Sequence, residues 1–284
     1  MQPIAEQAIL ITGATDGLGR GLAIELAAMG SELLLHGRDD AKGRDAISEI
    51  RDRTGNERLR WYRADLASLA EVRDLAARIE GEHDQLDVLV NNAGIGTSGP
   101  GDGSRAESRD GYELRFAVNY LAGFLLTRLL RPLLERSSPA RIVNVSSAGQ
   151  APIDFDDVML ERSYNGVQAY CQSKLAQVMF TFDLAEELRD AGVTVTALHP
   201  AMFMPTKMVS EAGVSPTSTL EEGVEAVSRL AVEPELEGVT GRYFNGRREA
   251  TAHAQAYDAE AVRRLRELSE GLVAPSGDGG PASS

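Results

Sequence analysis

Short apolar runs alternate with longer amphipathic stretches along most of this chain. The apolar runs are typical of buried strands, and they fall at 8–12, 32–36, 59–63, 87–90, 141–145, 193–198 and 241–244. The stretches with helical periodicity fall at 18–30, 41–53, 69–82, 111–135, 168–192, 220–231 and 258–272. Strands that alternate with helices predict an α/β fold with a parallel sheet covered on both faces. Right-handed crossovers then favour a doubly wound sheet.

Length and composition predict one domain. The chain has 284 residues, of which 43% are hydrophobic, enough for one sizeable core, so we expect a single domain over 1–272. Residues 200–218 are rich in Pro, Met and Ser and lack a clear period, which predicts a long connection. The last residues, 273–284, have the composition of a disordered tail.

Charge and cysteine content narrow the possible partners. The net charge of -14 argues against nucleic acid, which requires clustered basic residues, and against an anionic membrane surface. The single cysteine, Cys171, excludes an internal disulfide and a cysteine-rich metal site, so no metal is expected. No signal peptide or long apolar run is visible, and we therefore expect a cytoplasmic protein.

A glycine-rich turn, "LITGATDGLGR", joins the first strand to the first helix. Gly13, Gly17 and Gly19 would let backbone N–H groups approach a pyrophosphate at the helix N-terminus. Their spacing differs from the G-x-G-x-x-G pattern of many dinucleotide-binding turns. The alternative is that the three glycines only permit a tight turn.

The residues after the second strand bear on the choice of nicotinamide cofactor. Arg38 stands where the ribose of an adenosine would reach, and an arginine accommodates a 2′-phosphate, so NADP is favoured over NAD. The competing interpretation is that Asp39 or Asp40 turns inward and Arg38 is only solvated. Asp is also favoured as an N-cap, and we expect one of the two to cap the next helix.

Four short motifs occur in order, each after the strand that the fold requires. They are "TGATDGLG" after the first strand, "NNAG" (91–94) after the fourth, "NVSS" (144–147) after the fifth and "YCQSK" (170–174) in a helix. In this order the chain resembles the short-chain dehydrogenase/reductase family over about residues 6–245, and most of all its retinol-dehydrogenase-like branch. The resemblance implies a Rossmann fold and a bound nicotinamide dinucleotide.

The resemblance also implies roles for individual positions. The catalytic set would be Asn119, Ser147, Tyr170 and Lys174, with Ser146 as the alternative serine. Together with Arg38, the cofactor contacts would be Gly13, Thr15, Asp16, Gly17, Leu18, Gly19, Asp65, Leu66, Asn92, Ala93, Gly94, Tyr170, Lys174, Pro200 and Thr206. Thr206 stands one residue later than the family's usual threonine, and Ala201 replaces its usual glycine, so the role of Thr206 is open.

Tyr170 and Lys174 lie one helical turn apart, and this spacing suits proton transfer. A phenol with a pKa near 10 is a poor base at neutral pH. Lowering that pKa by about three units corresponds to roughly 4 kcal/mol, which a nearby ammonium and an oxidised nicotinamide ring could supply. Ser147 would donate to the substrate oxygen. The alternative is an ordinary helix pair, with the tyrosine in the core and the lysine extending outward.

An apolar group follows the sixth strand, in the long connection. Met202, Phe203, Met204 and Met208 would form the wall of a pocket for an uncharged or hydrophobic substrate. Equally, they could pack the connection against the core. The nearby His199 is expected to be structural.

We therefore expect an NADP(H)-dependent oxidoreductase that interconverts a carbonyl and an alcohol on a small molecule. Two alternatives stay open: a cofactor-binding regulator without turnover, and a nicotinamide-dependent epimerase or dehydratase. Many relatives pair through the two long helices that correspond to 111–135 and 168–190, so a homodimer or homotetramer is the expectation for assembly.

Overall fold

An eight-stranded sheet forms the centre of the protein in a computed structural model that describes residues 2–98 and 104–275. The strands are β1 (Ala8–Ile11), β2 (Glu32–Gly37), β3 (Leu59–Arg63), β4 (Val88–Asn91), β5 (Ala140–Val145), β6 (Val193–His199), β7 (Arg242–Asn245) and β8 (Arg248–Glu249). Their order across the sheet is β3-β2-β1-β4-β5-β6-β7-β8. The pairs from β3 to β7 are parallel, and only β8 runs antiparallel to its neighbour.

Helices cover both faces of the sheet. They are α1 (Gly17–Ala28), α2 (Asp40–Thr54), α3 (Leu69–Glu82), α4 (Ala122–Arg136), α5 (Gly166–Glu187), α6 (Lys207–Glu211), α7 (Leu220–Val232) and α8 (Ala259–Val273). One apolar cluster joins the sheet to α3, α4, α5 and α8, and a second joins it to α1, α2 and α7. The predicted doubly wound α/β fold is thus confirmed.

The central strands are largely apolar because they are buried on both faces. In β1, for example, Ile9, Leu10 and Ile11 are fully buried, with Leu10 facing one apolar cluster and its two neighbours the other. The chain builds outward from β1 to β3 and then returns to place β4 on the other side of β1. In such a sheet, ligands bind at the carboxyl ends of the strands where the order reverses, here between β1 and β4.

Two local features differ from the sequence-based expectation. The long helix predicted over 111–135 contains a π-helical segment, Phe116–Leu121, directly before α4. Such π segments are rare and are frequent at functional sites. The connection predicted over 200–218 contains the short helix α6. Of the predicted tail, residues 276–284 lie outside the described residues.

The C-terminal helix α8 lies on the face formed by α4 and α5. The hydroxyls of Tyr120 and Ser269 are 2.7 Å apart, and an Arg266 nitrogen is 3.0 Å from an Asp183 oxygen. Both contacts fall within the two helical stretches expected to pair between subunits, and here a helix of the same chain packs against them. Among the described residues, no helix is both long and apolar enough to cross a bilayer, and the cytoplasmic location stays a prediction.

Candidate active site

The turn between β1 and α1 requires its glycines. Gly13 and Gly17 have φ of +68° and +49°, the left-handed region that favours glycine. A Cβ on Gly19 would lie 2.3 Å from the Gly13 carbonyl oxygen and 2.5 Å from the Asn92 amide nitrogen, closer than atoms can approach. Asp16 caps α1 by accepting a hydrogen bond from the Gly17 N–H at 2.7 Å. The turn therefore presents backbone rather than side chains at the helix N-terminus.

Thr12 and Asn92 join this turn to the end of β4. The Thr12 hydroxyl accepts from the N–H groups of Asn92 and Ala93, at 2.9 and 3.0 Å. The Asn92 side chain donates to the carbonyls of Thr12 and Gly13, at 2.8 and 3.2 Å. The two segments that the sequence assigned to cofactor binding thus meet at the point where the strand order reverses. Thr12 itself was missed, and its place at the end of a buried strand was the available signal.

His36 supports the same turn and was also missed. Its Nδ1 accepts from the Gly13 N–H at 3.3 Å, and its Nε2 lies 3.1 Å from the Ala64 carbonyl oxygen. Burial lowers the pKa of His36 to about 4, so the ring is neutral at physiological pH. A neutral ring can accept at one nitrogen and donate at the other, as these two contacts require.

The two acids that follow Arg38 after β2 are both bonded elsewhere, so neither pairs with this arginine. Asp39 caps α2, as expected of one of the two acids, by accepting from the N–H groups of Ala41 and Lys42. Asp40 accepts from the indole N–H of Trp61 at 2.8 Å. Arg38 is exposed and has no ion pair or hydrogen bond within the part of the chain that the structure describes. Neither acid neutralises it.

Asp65 and Leu66, the residues predicted to lie near the adenine, follow β3, the strand that pairs with β2. The Asp65 carboxylate accepts from the Ala67 N–H at 3.0 Å and lies 3.9 Å from an Arg109 nitrogen. Leu66 is buried in the apolar cluster beneath it. Asp65 is the second residue after β3, so it stands at the carboxyl edge with the other predicted cofactor residues.

Ser147, Tyr170 and Lys174 come together beside the ends of β4 and β5. Ser147 follows β5, and its hydroxyl oxygen accepts from the Gly149 N–H at 3.0 Å. The Tyr170 side chain lies next to Ser147, and the serine hydroxyl lowers the pKa of the phenol. The Lys174 ammonium lies 5.7 Å from the centre of the Tyr170 ring, one turn along α5. Ser146, the alternative serine, instead donates to the Lys174 carbonyl oxygen at 2.7 Å and is buried.

Lys174 is buried and points back toward the sheet. Its Nζ donates to the Val145 carbonyl oxygen and to the Gln177 side-chain oxygen, each at 2.9 Å. Gly94 lies next to it, since a Cβ there would be 3.6 Å from Nζ. Burial lowers the pKa of Lys174 to about 7, so its charge at neutral pH is only partial.

Tyr170 differs from the expectation of an unusually acidic phenol. Burial raises the pKa of Tyr170 above its ordinary value, and the Ser147 hydroxyl lowers it by less. The reason is that a partly charged Lys174, held on Val145 and Gln177, does not offset the desolvation of the phenol. These residues alone therefore favour the protonated phenol, the form that donates a proton.

Asn119 lies in the π-helical segment and holds the loop after β4. Its side-chain oxygen accepts from the Ile95 N–H at 2.8 Å, and its amide donates to the Ile95 carbonyl at 3.1 Å. The same amide donates to the Ser173 hydroxyl at 3.0 Å. The asparagine thus ties the loop to α5 next to Lys174, whereas its expected part in a proton relay stays a prediction.

The long connection after Pro200 closes over the front of the site. Thr206 lies over the glycine-rich turn, since a Cβ on Gly17 would be 3.2 Å from its methyl group. Met208, in α6, packs on the loop after β4, where a Cβ on Gly96 would be 2.6 Å from its Cγ. These contacts bring Thr206 to the cofactor side and Met208 to the substrate side.

Of the other three apolar residues of the connection, one is buried and two are exposed. Met204 is only 9% exposed and belongs to the core, with its sulfur against Gly223 of α7, so the structure does not support it as a pocket residue. Met202 and Phe203 are 46% and 42% exposed. An apolar pattern cannot distinguish a residue that packs inward from one that faces a ligand, and for this reason the sequence left both interpretations open.

Two further residues near the site, Leu18 and His199, are buried. Leu18, in the first turn of α1, is buried in the core. His199 ends β6, and its Nε2 is buried with no hydrogen-bond partner among the described residues. Burial and the nearby Lys174 both lower the pKa of His199, so the ring is neutral.

Comparisons with known proteins agree with this geometry. A family model described as short chain dehydrogenase matches residues 7–215. Retinol dehydrogenase 13 of Mus musculus is 38% identical over 288 residues, which cover 95% of this chain and 84% of that protein. A solved short chain dehydrogenase from Pseudomonas syringae has a TM-score of 0.70 at 28% identity, covering 86% of this chain and 96% of its own.

A second solved structure, a short chain dehydrogenase from Escherichia coli complexed with NADPH, has a TM-score of 0.67 at 27% identity. It covers 86% of this chain and 97% of its own. The family model spans most of the chain, and the relatives align over nearly all of it. This protein is therefore a member of the short chain dehydrogenase family.

Proposed function

We propose that this protein is an NADP(H)-dependent oxidoreductase that interconverts a carbonyl and an alcohol by hydride transfer. The observation that carries the proposal is the meeting of Ser147, Tyr170 and Lys174 at the carboxyl edge of the sheet, next to the glycine-rich turn. A binding protein has no need of a buried ammonium beside a phenol, because such a group costs stability.

The residues at the turn fit a dinucleotide phosphate. The close approach of Gly19 to Gly13 leaves backbone N–H groups at the N-terminus of α1, where anions bind. Arg38, unpaired beside it, offers a planar fork that suits a 2′-phosphate, so NADP is proposed over NAD. Solved relatives complexed with NADPH support this choice. The bound cofactor would supply the hydride.

Tyr170 would exchange the proton. Its raised pKa keeps the phenol protonated at neutral pH, which suits donation to the oxygen of a carbonyl being reduced. The Ser147 hydroxyl, whose oxygen accepts from the Gly149 N–H, would donate its proton to the same substrate oxygen. For the reverse oxidation, the positive charges of Lys174 and of the oxidised nicotinamide would favour the phenolate.

An uncharged, apolar substrate fits the front of the site best. Met208 on Gly96 forms an apolar wall there, and a flexible thioether adapts to irregular apolar ligands. The likeness to a retinol dehydrogenase supports the same class, a hydrophobic alcohol or aldehyde.

A cofactor-consumption assay tests the proposal. Purified protein is given NADPH or NADH with retinal, medium-chain aldehydes, aliphatic ketones and charged keto acids. We expect NADPH oxidation with the apolar carbonyls, and in Tyr170→Phe a loss of about a hundredfold or more in kcat. NADPH affinity, measured by calorimetry, should stay within about twofold, because the variant removes only the hydroxyl that exchanges the proton. Tyr257→Phe, at an exposed tyrosine, is the matched control.

Other outcomes would favour other functions. Full turnover in Tyr170→Phe would exclude the phenol as the proton donor. NADPH binding without oxidation on any carbonyl would favour the cofactor-binding regulator. Product formation without net change in NADPH would favour an epimerase or a dehydratase.

A further inference from the structure

A buried ion pair lies behind the loop that follows β4. Arg115 and Glu113 are 1% and 0% exposed, and a guanidinium nitrogen of the first is 3.5 Å from a carboxylate oxygen of the second. Buried charges are costly unless they are paired and fully hydrogen-bonded. The proposed reaction uses neither residue, so the pair calls for another explanation.

The guanidinium of Arg115 binds two consecutive backbone carbonyls of this loop. Its Nε donates to the Gly96 carbonyl at 2.8 Å, and its Nη2 donates to the Thr97 carbonyl at 2.7 Å. The remaining nitrogen, Nη1, donates to the Tyr164 hydroxyl. Only a planar fork with several donors can make this set of contacts from one side chain.

Glu113, the acidic partner of the pair, is held by hydrogen bonds of its own. One carboxylate oxygen accepts from the Phe116 N–H at 2.7 Å, where the π-helical segment begins, and the other accepts from the Tyr164 hydroxyl at 3.2 Å. The pair therefore attaches the loop to the segment that carries Asn119. Asn119 binds the preceding loop residue, Ile95, through both its N–H and its carbonyl.

The loop Gly94–Ser98 is the substrate-side wall of the site. Gly94 lies against Lys174, and Met208 of α6 packs on Gly96. The Ser98 hydroxyl donates to the Glu211 carbonyl of α6 at 3.0 Å. Arg115 thus holds the loop at the very stretch on which α6 rests.

Arg115 also reaches the start of α5. A Cβ on Gly166, the first residue of α5, would lie 2.6 Å from the Thr97 carbonyl oxygen and 3.2 Å from Arg115 Nη2. Tyr170 follows one helical turn later. One guanidinium therefore contacts both the loop on one side of the site and the helix that carries the phenol on the other.

We propose that Arg115 is a positioning residue that fixes the separation between the loop Gly94–Ser98 and the N-terminal turn of α5. The inference rests on the proposed function, because this separation decides whether a carbonyl held against the loop reaches the Tyr170 phenol. A displacement of about 1 Å in such a site can cost about a hundredfold in rate. The cofactor turn lies apart from these contacts and should be unaffected.

The test is Arg115→Lys, which keeps the charge opposite Glu113 but replaces the planar fork, with its three separate nitrogens, by a single one. We expect faster hydrogen exchange at the amides of residues 94–98. We also expect a KM for the carbonyl raised about tenfold or more and a lowered kcat, with NADPH affinity within about twofold. Arg141→Lys is the matched control, since buried Arg141 also binds two carbonyls, those of Leu230 and Glu233, at the opposite edge of the sheet.

A second variant guards against failure to fold. Glu113→Gln combined with Arg115→Met removes both charges, which buried pairs often tolerate better than the loss of one partner. The fork to Gly96 and Thr97 is still lost, so exchange at residues 94–98 should rise here too.

Two results would overturn the inference. Unchanged exchange at residues 94–98 in both Arg115 variants would show that the fork does not fix the loop. Equal kinetic losses in Arg141→Lys would mean that general destabilisation, not local positioning, lowers the activity. If the unmodified protein reduces no carbonyl, the proposed function fails, while hydrogen exchange still decides whether Arg115 positions the loop.

Discussion

The arginines in the part of the chain that holds the proposed cofactor site differ in whether they have acidic partners within the protein. Arg51, Arg58 and Arg63, at the same end of the chain, all form ion pairs. Arg38 has no such partner within residues 2–98 and 104–275, and Asp39 and Asp40 beside it are already bonded elsewhere. An unpaired guanidinium is available to a ligand, and this makes cofactor choice testable at one position.

Arg38→Ala should weaken NADPH binding and leave NADH nearly unchanged. The lost contact is a charge-assisted hydrogen bond to a phosphate that only NADPH carries, worth about 1.5–3 kcal/mol, or roughly 10- to 150-fold in Kd. Calorimetry with both nucleotides measures the difference. Arg44→Ala, which removes an exposed arginine from α2, is the control. Equal losses for the two nucleotides would exclude a phosphate contact at Arg38.

The burial of Lys174 makes stability depend on pH above neutrality. Its pKa is about 7 in the folded protein and near 10.5 in the unfolded chain. Between these values the unfolded chain binds a proton that the folded protein does not, so stability rises with pH. Below pH 7 both states are protonated and the full cost of the buried charge is present.

We expect the free energy of unfolding of the wild type to increase with pH relative to that of Lys174→Met. The expected increase is about 1 kcal/mol per pH unit between pH 7.5 and 9.5. Urea unfolding of the two proteins across this range measures the difference, in which other titrating groups cancel. His199, already neutral in both states there, adds no slope. A difference that does not vary with pH would mean that Lys174 keeps its ordinary pKa in the folded protein.

At the scale of helices and strands, α1 and α3 contain glycines in opposite environments. A Cβ on Gly19 of α1 would collide with the Gly13 carbonyl, whereas one on Gly81 of α3 would meet no atom within 4 Å among the described residues. Alanine favours helices over glycine by up to about 1 kcal/mol wherever the methyl group has room. The same substitution should therefore have opposite effects in the two helices.

Gly81→Ala should stabilise the protein by about 0.5–1 kcal/mol, and cofactor affinity should not change. Gly19→Ala should destabilise it by about 1–3 kcal/mol and weaken NADPH binding, because the turn must move to admit the methyl group. Thermal unfolding and calorimetry on both variants measure these effects. Tight NADPH binding by Gly19→Ala would show that the turn is not the phosphate site.

The order of helices and strands could be predicted from the sequence, but particular side-chain placements could not. Apolar periodicity identified β1 to β7, and the motifs at Ser147 and Tyr170 identified the residues that meet in the site. No local pattern indicates the π-helical segment or the hydrogen bonds by which its Asn119 holds Ile95. In the sequence alone, Glu113 and Arg115 look like two surface charges. Their burial depends on segments that are distant in the chain.

On the scale of the whole molecule, α8 changes the expectation for assembly. It packs on α5 and on the π-helical segment before α4, with Ser269 fully buried against Tyr120 and with ion pairs such as Arg266 to Asp183. Pairing of two chains through α4 and α5 would first require α8 to move away. We therefore expect a monomer in place of the homodimer or homotetramer that the likeness to its relatives suggested.

Light scattering across micromolar concentrations should give the mass of one chain. Ser269→Arg should loosen α8 by burying a charge against Tyr120, and so expose apolar surface and raise the measured mass. Glu267→Arg adds the same side chain on the exposed face of α8 and should leave a monomer. A stable dimer of the unmodified chain that protects α5 from hydrogen exchange would contradict the expectation.

The contact of Trp61 with the segment after β2 has a practical consequence. Trp61 is the only tryptophan in the chain, it binds Asp40, and a Cβ on Gly37 would lie 2.7 Å from its ring. The ring therefore sits next to the position proposed for the adenosine end of the nucleotide. Because reduced nicotinamides absorb light where indole emits, the protein's own fluorescence should dim as the nucleotide enters, and titration needs no added label.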